Sequence, residues 1–319
     1  MQLLKIKRPE IFSDHNVILE WFNRTEDEVI TEFGKLPGAL TIGDKDQRFV
    51  YIPGNRKDKV LLVAHTDTVW DKKPSIEYKS GVYSSKDPNV GIGADDRAGV
   101  AMLWNLRNLG HSLLLPCGEE KGCIGSKYLV SLPEYKAIIA EHMFALQFDR
   151  MGSEDIACYD VASDEFKDHI EKNMPGFKRT HGSNTDICVL CDTICGCNLS
   201  IGYYRQHQKE EVLYRASWEN TLLMTRKFLL GEMKKFPLVK KVYNYTQPYS
   251  YQNNSEKWHN HFEKEDVKTE TTKQTAVLDL PIIYLRRLVY CPMCDAVMDK
   301  VEYLTKNECI WCHKKSYEE

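Results

Sequence analysis

No stretch of this 319-residue chain approaches the roughly 20 consecutive apolar residues that a membrane-crossing helix requires. The opening residues, MQLLKIKRPEIF, scatter charges and are not followed by an apolar core with a small-residue cleavage site, so no secretory leader is expected. A dominant charge is lacking as well. With 43 Lys and Arg against 46 Asp and Glu, the formal charge is -3, which gives no whole-molecule argument for a nucleic-acid or membrane partner. Internal repeats of solenoid length are absent. Cysteine is not scarce: there are 11, an odd number, and CxxC pairs stand near the end. Without an export signal, that pattern points to reduced thiols, metal binding and a cytosolic setting rather than disulfides. Hydrophobic content of 42% and charged content of 28% are those of a globular protein. The length suits one large domain with a small appendage.

Helix and strand signals alternate along the first 235 residues. From Ser13 to Lys35, Val17, Ile18, Trp21, Phe22, Val29, Ile30 and Phe33 recur at helical spacing, which predicts a helix. ALTIGDKDQRFVYIPG predicts two strands around a polar turn, and KVLLVAH (Lys59 to His65) a strand covered on both faces. Further on, helices are expected over Arg97 to Leu109, Gly125 to Leu132, Ser163 to Asn173 and Ser217 to Lys235. Strands are expected over Ser112 to Cys117, Met143 to Phe148, Ile156 to Tyr159 (at a sheet edge) and Leu199 to Tyr203. Such alternation defines an α/β fold, a mostly parallel sheet flanked by helices. Composition then divides the chain into residues 1–235 as the α/β domain, a polar linker over 236–277, and a small unit over 278–319.

Polar clusters stand where strands are expected to end: AHTDT (64–68), GADDRAG (93–99), GEEKG (118–122), QFDR (147–150) and IGYYRQH (201–207). Loops at the carboxyl ends of strands converge on one crevice in open α/β sheets, and imidazole and carboxylate are ligands that zinc accepts. Singly, each cluster has a plain structural explanation. Asp-Asp-Arg before a helix caps it, for instance, and paired acids in a loop are usually solvated.

Together and in this order, AHTDT, GADDRAG, GEEKGCIGS, ALQFDR and IGYYRQH resemble the co-catalytic di-zinc exopeptidases, the group of peptidase T, the carboxypeptidase G and aminoacylase enzymes and the zinc aminopeptidases. The resemblance covers roughly Lys59 to Met233. It implies that His65 and Asp149 bind one zinc, Glu120 and His207 the other, and that Asp95 bridges them. It also implies that Asp67 orients His65 and that Glu119 is the general base for a metal-activated water. Zinc, or Co2+ or Mn2+ in its place, would supply the two catalytic ions, and the substrate would be a peptide or an acyl-amino acid. Larger members carry a lid domain. Here 57 residues separate Asp149 from His207, too few for one, so a compact domain is expected. In that interval His181 and Asp186 either reach substrate or form a polar turn with a helix cap. Cys188, Cys191, Cys195 and Cys197 are either buried apolar groups or a metal site.

Cys291-Pro-Met-Cys294 and Cys309-Ile-Trp-Cys312 lie 14 residues apart, the spacing of a zinc ribbon, and four thiolates could close a structural zinc site there. The mixture of Lys, Arg, Asp and Glu around them argues for a protein partner, an oligomer contact or plain support over phosphate binding. Two other readings of the whole chain remain at this point: a catalytically silent peptidase-like binding protein, and a nucleic-acid- or protein-associated factor acting through the ribbon.

Overall fold

The computed structural model describes residues 15–182, 184–238, 288–290 and 297–299. The chain divides into two compact units, Met1–Lys240 and Lys241–Glu319.

The amino-terminal helical pattern resolves into two helices, α1 (His15–Phe22) and α2 (Glu26–Gly34), where one was expected. The break is a capping box. Thr25 leaves helical geometry, its hydroxyl accepts the Glu28 N–H at 3.3 Å, and the Glu28 carboxylate accepts the Thr25 N–H at 2.6 Å. Strands β1 (Leu40–Asp44) and β2 (Gln47–Ile52) form the expected hairpin, and β3 (Leu61–Val63) is fully buried. A second hairpin, β4 (Ile76–Lys79) and β5 (Val82–Ser85), follows. Next come α3 (Ala94–Leu106), β6 (Ser112–Pro116), α4 (Ile124–Ser131), α5 (Pro133–Ala140) and β7 (Phe144–Arg150). β8 (Asp155–Ala157) leads into α6 (Asp164–Asn173), whose Ser163 hydroxyl caps it by accepting the Phe166 N–H at 3.3 Å. The rest of the unit is β9 (Lys178–Thr180), α7 (Asp186–Leu190), β10 (Cys195–Ser200), β11 (Tyr203–Tyr204), β12 (Val212–Tyr214) and α8 (Arg215–Leu229).

Eight strands form the main sheet in the order β1-β2-β6-β3-β7-β10-β8-β9. Its centre, β6-β3-β7-β10, is parallel, which accounts for the short apolar runs that these strands show. Alternate residues face opposite layers. Leu62, Leu113, Leu115, Leu146 and Phe148 pack with α1, α3 and α8, whereas Leu61, Val63, Leu114 and Ala145 pack with Leu129, Ile139, Ile187 and Leu190. Trp21 and Trp104 meet at 5.1 Å between ring centroids, and the buried Trp218 indole donates to the Ala98 carbonyl at 2.9 Å.

Two strand expectations are corrected. The strand expected over Leu199 to Tyr203 runs instead from Cys195 to Ser200, because its six residues are all buried between β7 and β8. β8 is not an edge, since β9 pairs with its outer side. A four-stranded sheet, β11-β12-β5-β4, stands beside the main one within this unit and carries the loop with His207. Between Asp149 and His207 the described residues form β8, α6, β9, α7, β10 and β11, and no lid domain.

In the second unit, β13 (Leu288–Tyr290) and β14 (Val297–Asp299) pair antiparallel. Cys291, Cys294, Cys309 and Cys312 lie outside the described residues, as does nearly all of the expected linker 236–277.

Candidate metal centre

The carboxyl ends of parallel neighbours β3, β6 and β7 point the same way, so the segments after them meet. His65 comes two residues after β3 and is fully buried. Glu119 and Glu120 follow β6, and Asp149 ends β7. Asp95 sits where α3 begins, but Asp95 and Asp96 depart from helical backbone angles, so regular helix starts at Arg97 and both carboxylates are displayed beside it. His207 arrives from the β11–β12 loop with φ +63°.

Asp95 stands between the two imidazoles. Its Oδ1 lies 3.0 Å from His65 Nε2 and its Oδ2 3.2 Å from His207 Nε2. Asp149 Oδ1 is 3.5 Å from His65 Nε2, and Glu120 Oε1 is 2.9 Å from His207 Nε2. All five side chains therefore converge, Asp149 beside His65, Glu120 beside His207 and Asp95 between the two imidazoles. Ligand atoms at about 2.0–2.2 Å from a tetrahedral zinc would be roughly 3.4 Å apart, and the separations of 2.9–3.5 Å lie around that value. Two overlapping trios have donor atoms close enough to share an ion: His65, Asp95 and Glu120, and His65, Asp96 and Asp149. The donor set, nitrogen and carboxylate oxygen, buried except for the half-exposed His207, is one that zinc accepts.

The electrostatics express the same crowding. Burial raises the Asp149 carboxyl to about 6, with Asp95 adding to the effect. Burial likewise raises Glu119 to about 8. Burial disfavours a charged His65, yet Asp149, Asp67 and Asp95 together raise its imidazole well above the ordinary value. Hydrogen bonds to Asp95 and then Glu120 raise His207 to about 10. The clustered acids thus favour protonated imidazoles, and a divalent cation bound among them would displace those protons.

Asp67 performs more than the single contact expected of it. Its Oδ1 meets His65 Nδ1 at 3.3 Å and also accepts the Glu119 N–H at 3.1 Å, while its Oδ2 accepts the Glu120 N–H at 3.1 Å. One carboxylate therefore orients the His65 imidazole and the turn that bears both glutamates. Gly118, at φ +67°, lets the backbone make that turn. Asp96 accepts the His65 N–H at 3.1 Å and the Gly99 N–H at 2.9 Å, and Arg97 donates to the Thr66 carbonyl.

Four residues around Asp149 escape a reading of the sequence. The Gln147 amide and the Thr185 hydroxyl each donate to Asp149 Oδ2 at 2.8 Å, Tyr203 OH donates to Oδ1 at 3.2 Å, and Asn198 holds the Asp149 peptide. The available signal is a lone polar residue inside a buried strand, Gln147 in FALQFDR and Asn198 in CGCNLS. Asp155 pairs with Arg150, whereas Asp149 faces His65. His181 is exposed and Asp186 fully buried at the start of α7. Cys191, Cys195 and Cys197 are buried, Cys188 is partly so, and among the described residues no cysteine belongs to a group able to hold a metal ion.

Residues 49–186 match the model of peptidase family M28. No curated protein matches the chain. Among the solved structures that share the fold are an aminopeptidase and a tripeptidase. Aminopeptidase PepT from Bacillus cereus ATCC 10987 has 14% identity and a TM-score of 0.53, covering 67% of this chain and 96% of its own. A tripeptidase from Staphylococcus aureus subsp. aureus Mu50 has 14% identity and a TM-score of 0.50, covering 67% of this chain and 97% of its own.

Proposed function

We propose that the chain is a zinc-dependent exopeptidase that hydrolyses the terminal amide bond of short peptides or of acyl-amino acids. The observation that carries this reading is Asp95, whose two oxygens face His65 and His207 on opposite sides, with Glu119 on the adjoining turn. His65 and Asp149 would hold one ion, Glu120 and His207 the second, and Asp95 would join them. When bound, a zinc pair supplies Lewis acidity, polarising the amide carbonyl and lowering the pKa of water. Glu119 takes the proton of the attacking water as its oxygen bonds to the carbonyl carbon, then delivers it to the nitrogen as the C–N bond breaks. The Cys123 thiol, 3.8 Å from Glu119 Oε1, and the amide grip of Asp67 keep that carboxylate in place. The peptidase M28 match and the peptidase names of the two similar folds support this chemistry.

The domain plan belongs to the same proposal: catalysis over 1–235, a linker over 236–277, and a zinc ribbon over 278–319 built on Cys291, Cys294, Cys309 and Cys312. The antiparallel pairing of Leu288–Tyr290 with Val297–Asp299, on either side of the first CxxC, supports the ribbon. Its role would be support or contact with a protein or a second copy. Among the described residues no helix is long and apolar enough to cross a membrane.

The test is release of single residues from short peptides with free or blocked ends, alongside elemental analysis. About three zinc ions per chain, falling to about two in a Cys291→Ser, Cys309→Ser variant, are expected. Hydrolysis should stop with a chelator and return with zinc. A protein that holds two ions outside the cysteines and cleaves none of these substrates would sink the reading.

A further inference from the structure

Glu211 lies between β11 and β12, four residues after His207, and is 1% exposed. Each of its carboxylate oxygens accepts a backbone N–H from the loop that carries Asp95: Oε2 from Gly93 at 2.7 Å and Oε1 from Asp95 at 3.1 Å. Those amides need such a partner. Gly93 is left-handed at φ +64° and Asp95 is non-helical, so neither amide enters the ladder of α3. A third loop closes on the same place. The Trp70 ring and the Gln208 carbonyl both press on Gly91, where a Cβ would come within 2.7 Å of each. The segments bearing His65 and Asp67, Asp95, and His207 thus meet around one buried carboxylate.

Stability alone is a poor account of that carboxylate. Burying an ionised group is costly unless it is paired, and among the described residues no cationic side chain forms an ion pair with Glu211. Asp95, whose backbone N–H it accepts, carries an acid side chain, and burial together with that acid raises the Glu211 carboxyl to about 7. A divalent cation on Asp95 would supply the missing positive charge.

We infer that Glu211 is the positioning residue of the metal centre: by holding the Asp95 amide it sets how the bridging carboxylate faces His65 and His207, and so how tightly zinc is held. The inference rests on the metal centre proposed above and extends it to a residue that touches no ion. A carboxylate is required because two N–H donors need two acceptor oxygens. Glutamine offers one and turns an NH2 toward the other amide.

The experiment measures zinc affinity of the full chain by competition with a chromophoric chelator, for the wild type, Glu211→Gln and Glu211→Asp. His65→Ala gives the background from the cysteines. Melting temperatures of the zinc-stripped proteins are measured in parallel. Glu211→Gln should weaken zinc binding by roughly ten- to a hundredfold while melting like the stripped wild type. Glu211→Asp, charged but shorter, should fall between. Unchanged zinc affinity in Glu211→Gln, or a stripped protein that melts as far below wild type as the loaded one does, would overturn the inference. If Glu211→Gln does not fold, Glu211→Asp decides by the same two measurements. Because no substrate is present, a wild type that binds zinc in the centre yet hydrolyses nothing removes the exopeptidase reading and leaves this one standing.

Discussion

Asn198 clasps the peptide of Asp149 from both ends: its Oδ1 accepts the Asp149 N–H at 2.9 Å, and its Nδ2 donates to the Asp149 carbonyl at 2.7 Å. The register of β10 on β7 shifts between Asn198 and Ser200, so a side chain satisfies backbone groups that the parallel ladder misses at that point. Asn198→Asp cannot donate to the carbonyl and adds a negative charge beside Asp149. A loss of about 1–3 kcal/mol is expected, measured as a lower urea midpoint with an unchanged slope. An unaltered midpoint would show that the clasp contributes nothing.

Glu119→Gln removes the proposed proton acceptor and leaves the proposed ligands intact. Turnover should fall by roughly 10²–10⁴, with zinc content equal to wild type by elemental analysis. His65→Ala and Asp95→Ala should lose zinc as well as activity. If Glu119→Gln kept most of its rate, another group would have to be the base.

Gly99 admits no side chain. A Cβ there would lie 2.1 Å from the Phe148 carbonyl oxygen and 2.3 Å from Asp96 Oδ1. Gly99→Ala must push α3 off β7 or displace the carboxylate that holds the His65 N–H, so a loss of about 3 kcal/mol is expected together with weaker zinc binding. Circular dichroism melts of the loaded and stripped variant check both effects, and a wild-type melt in each state would refute them.

His142 is fully buried, and burial pushes its imidazole down to about 4 from an ordinary 6.5. Its folded form therefore binds fewer protons than its unfolded form between those values. The stability associated with the neutral ring is complete above about pH 6.5 and is lost as pH falls toward 4, by about 3 kcal/mol at the acid end. Urea titrations at pH 7, 5.5 and 4.5 should show a shallower decline for His142→Gln than for wild type. Parallel declines would contradict this.

Much of this architecture is legible in the sequence because its signals are local. Apolar runs such as LLV and SLLLP mark central strands, and the acidic and histidine clusters stand where those runs end. What escaped depends on partners remote in the chain or on short punctuation. Thr25 and Glu28 divide the first helix through a motif of four residues. The β4–β5 hairpin turns on Ser80 and Gly81, both at positive φ, a Ser-Gly turn that alternation on either side could have revealed. β9 is Lys-Arg-Thr and carries no apolar pattern, so β8 was expected to be an edge. Gln147, Thr185 and Asn198 are ordinary polar residues until the sheet brings them to Asp149, and no spacing rule joins residues 147, 185 and 198.

The grip of Asp67 on two successive amides has a mechanical consequence. The proposed proton acceptor Glu119 and the proposed metal ligand Glu120 ride on neighbouring α-carbons, about 3.8 Å apart across one planar peptide, and that peptide is pinned by the same carboxylate that steadies His65. Thermal motion of the turn therefore carries both glutamates as a single lever. Their α-carbon spacing is fixed, and a substitution that tilts the turn moves the backbone of both.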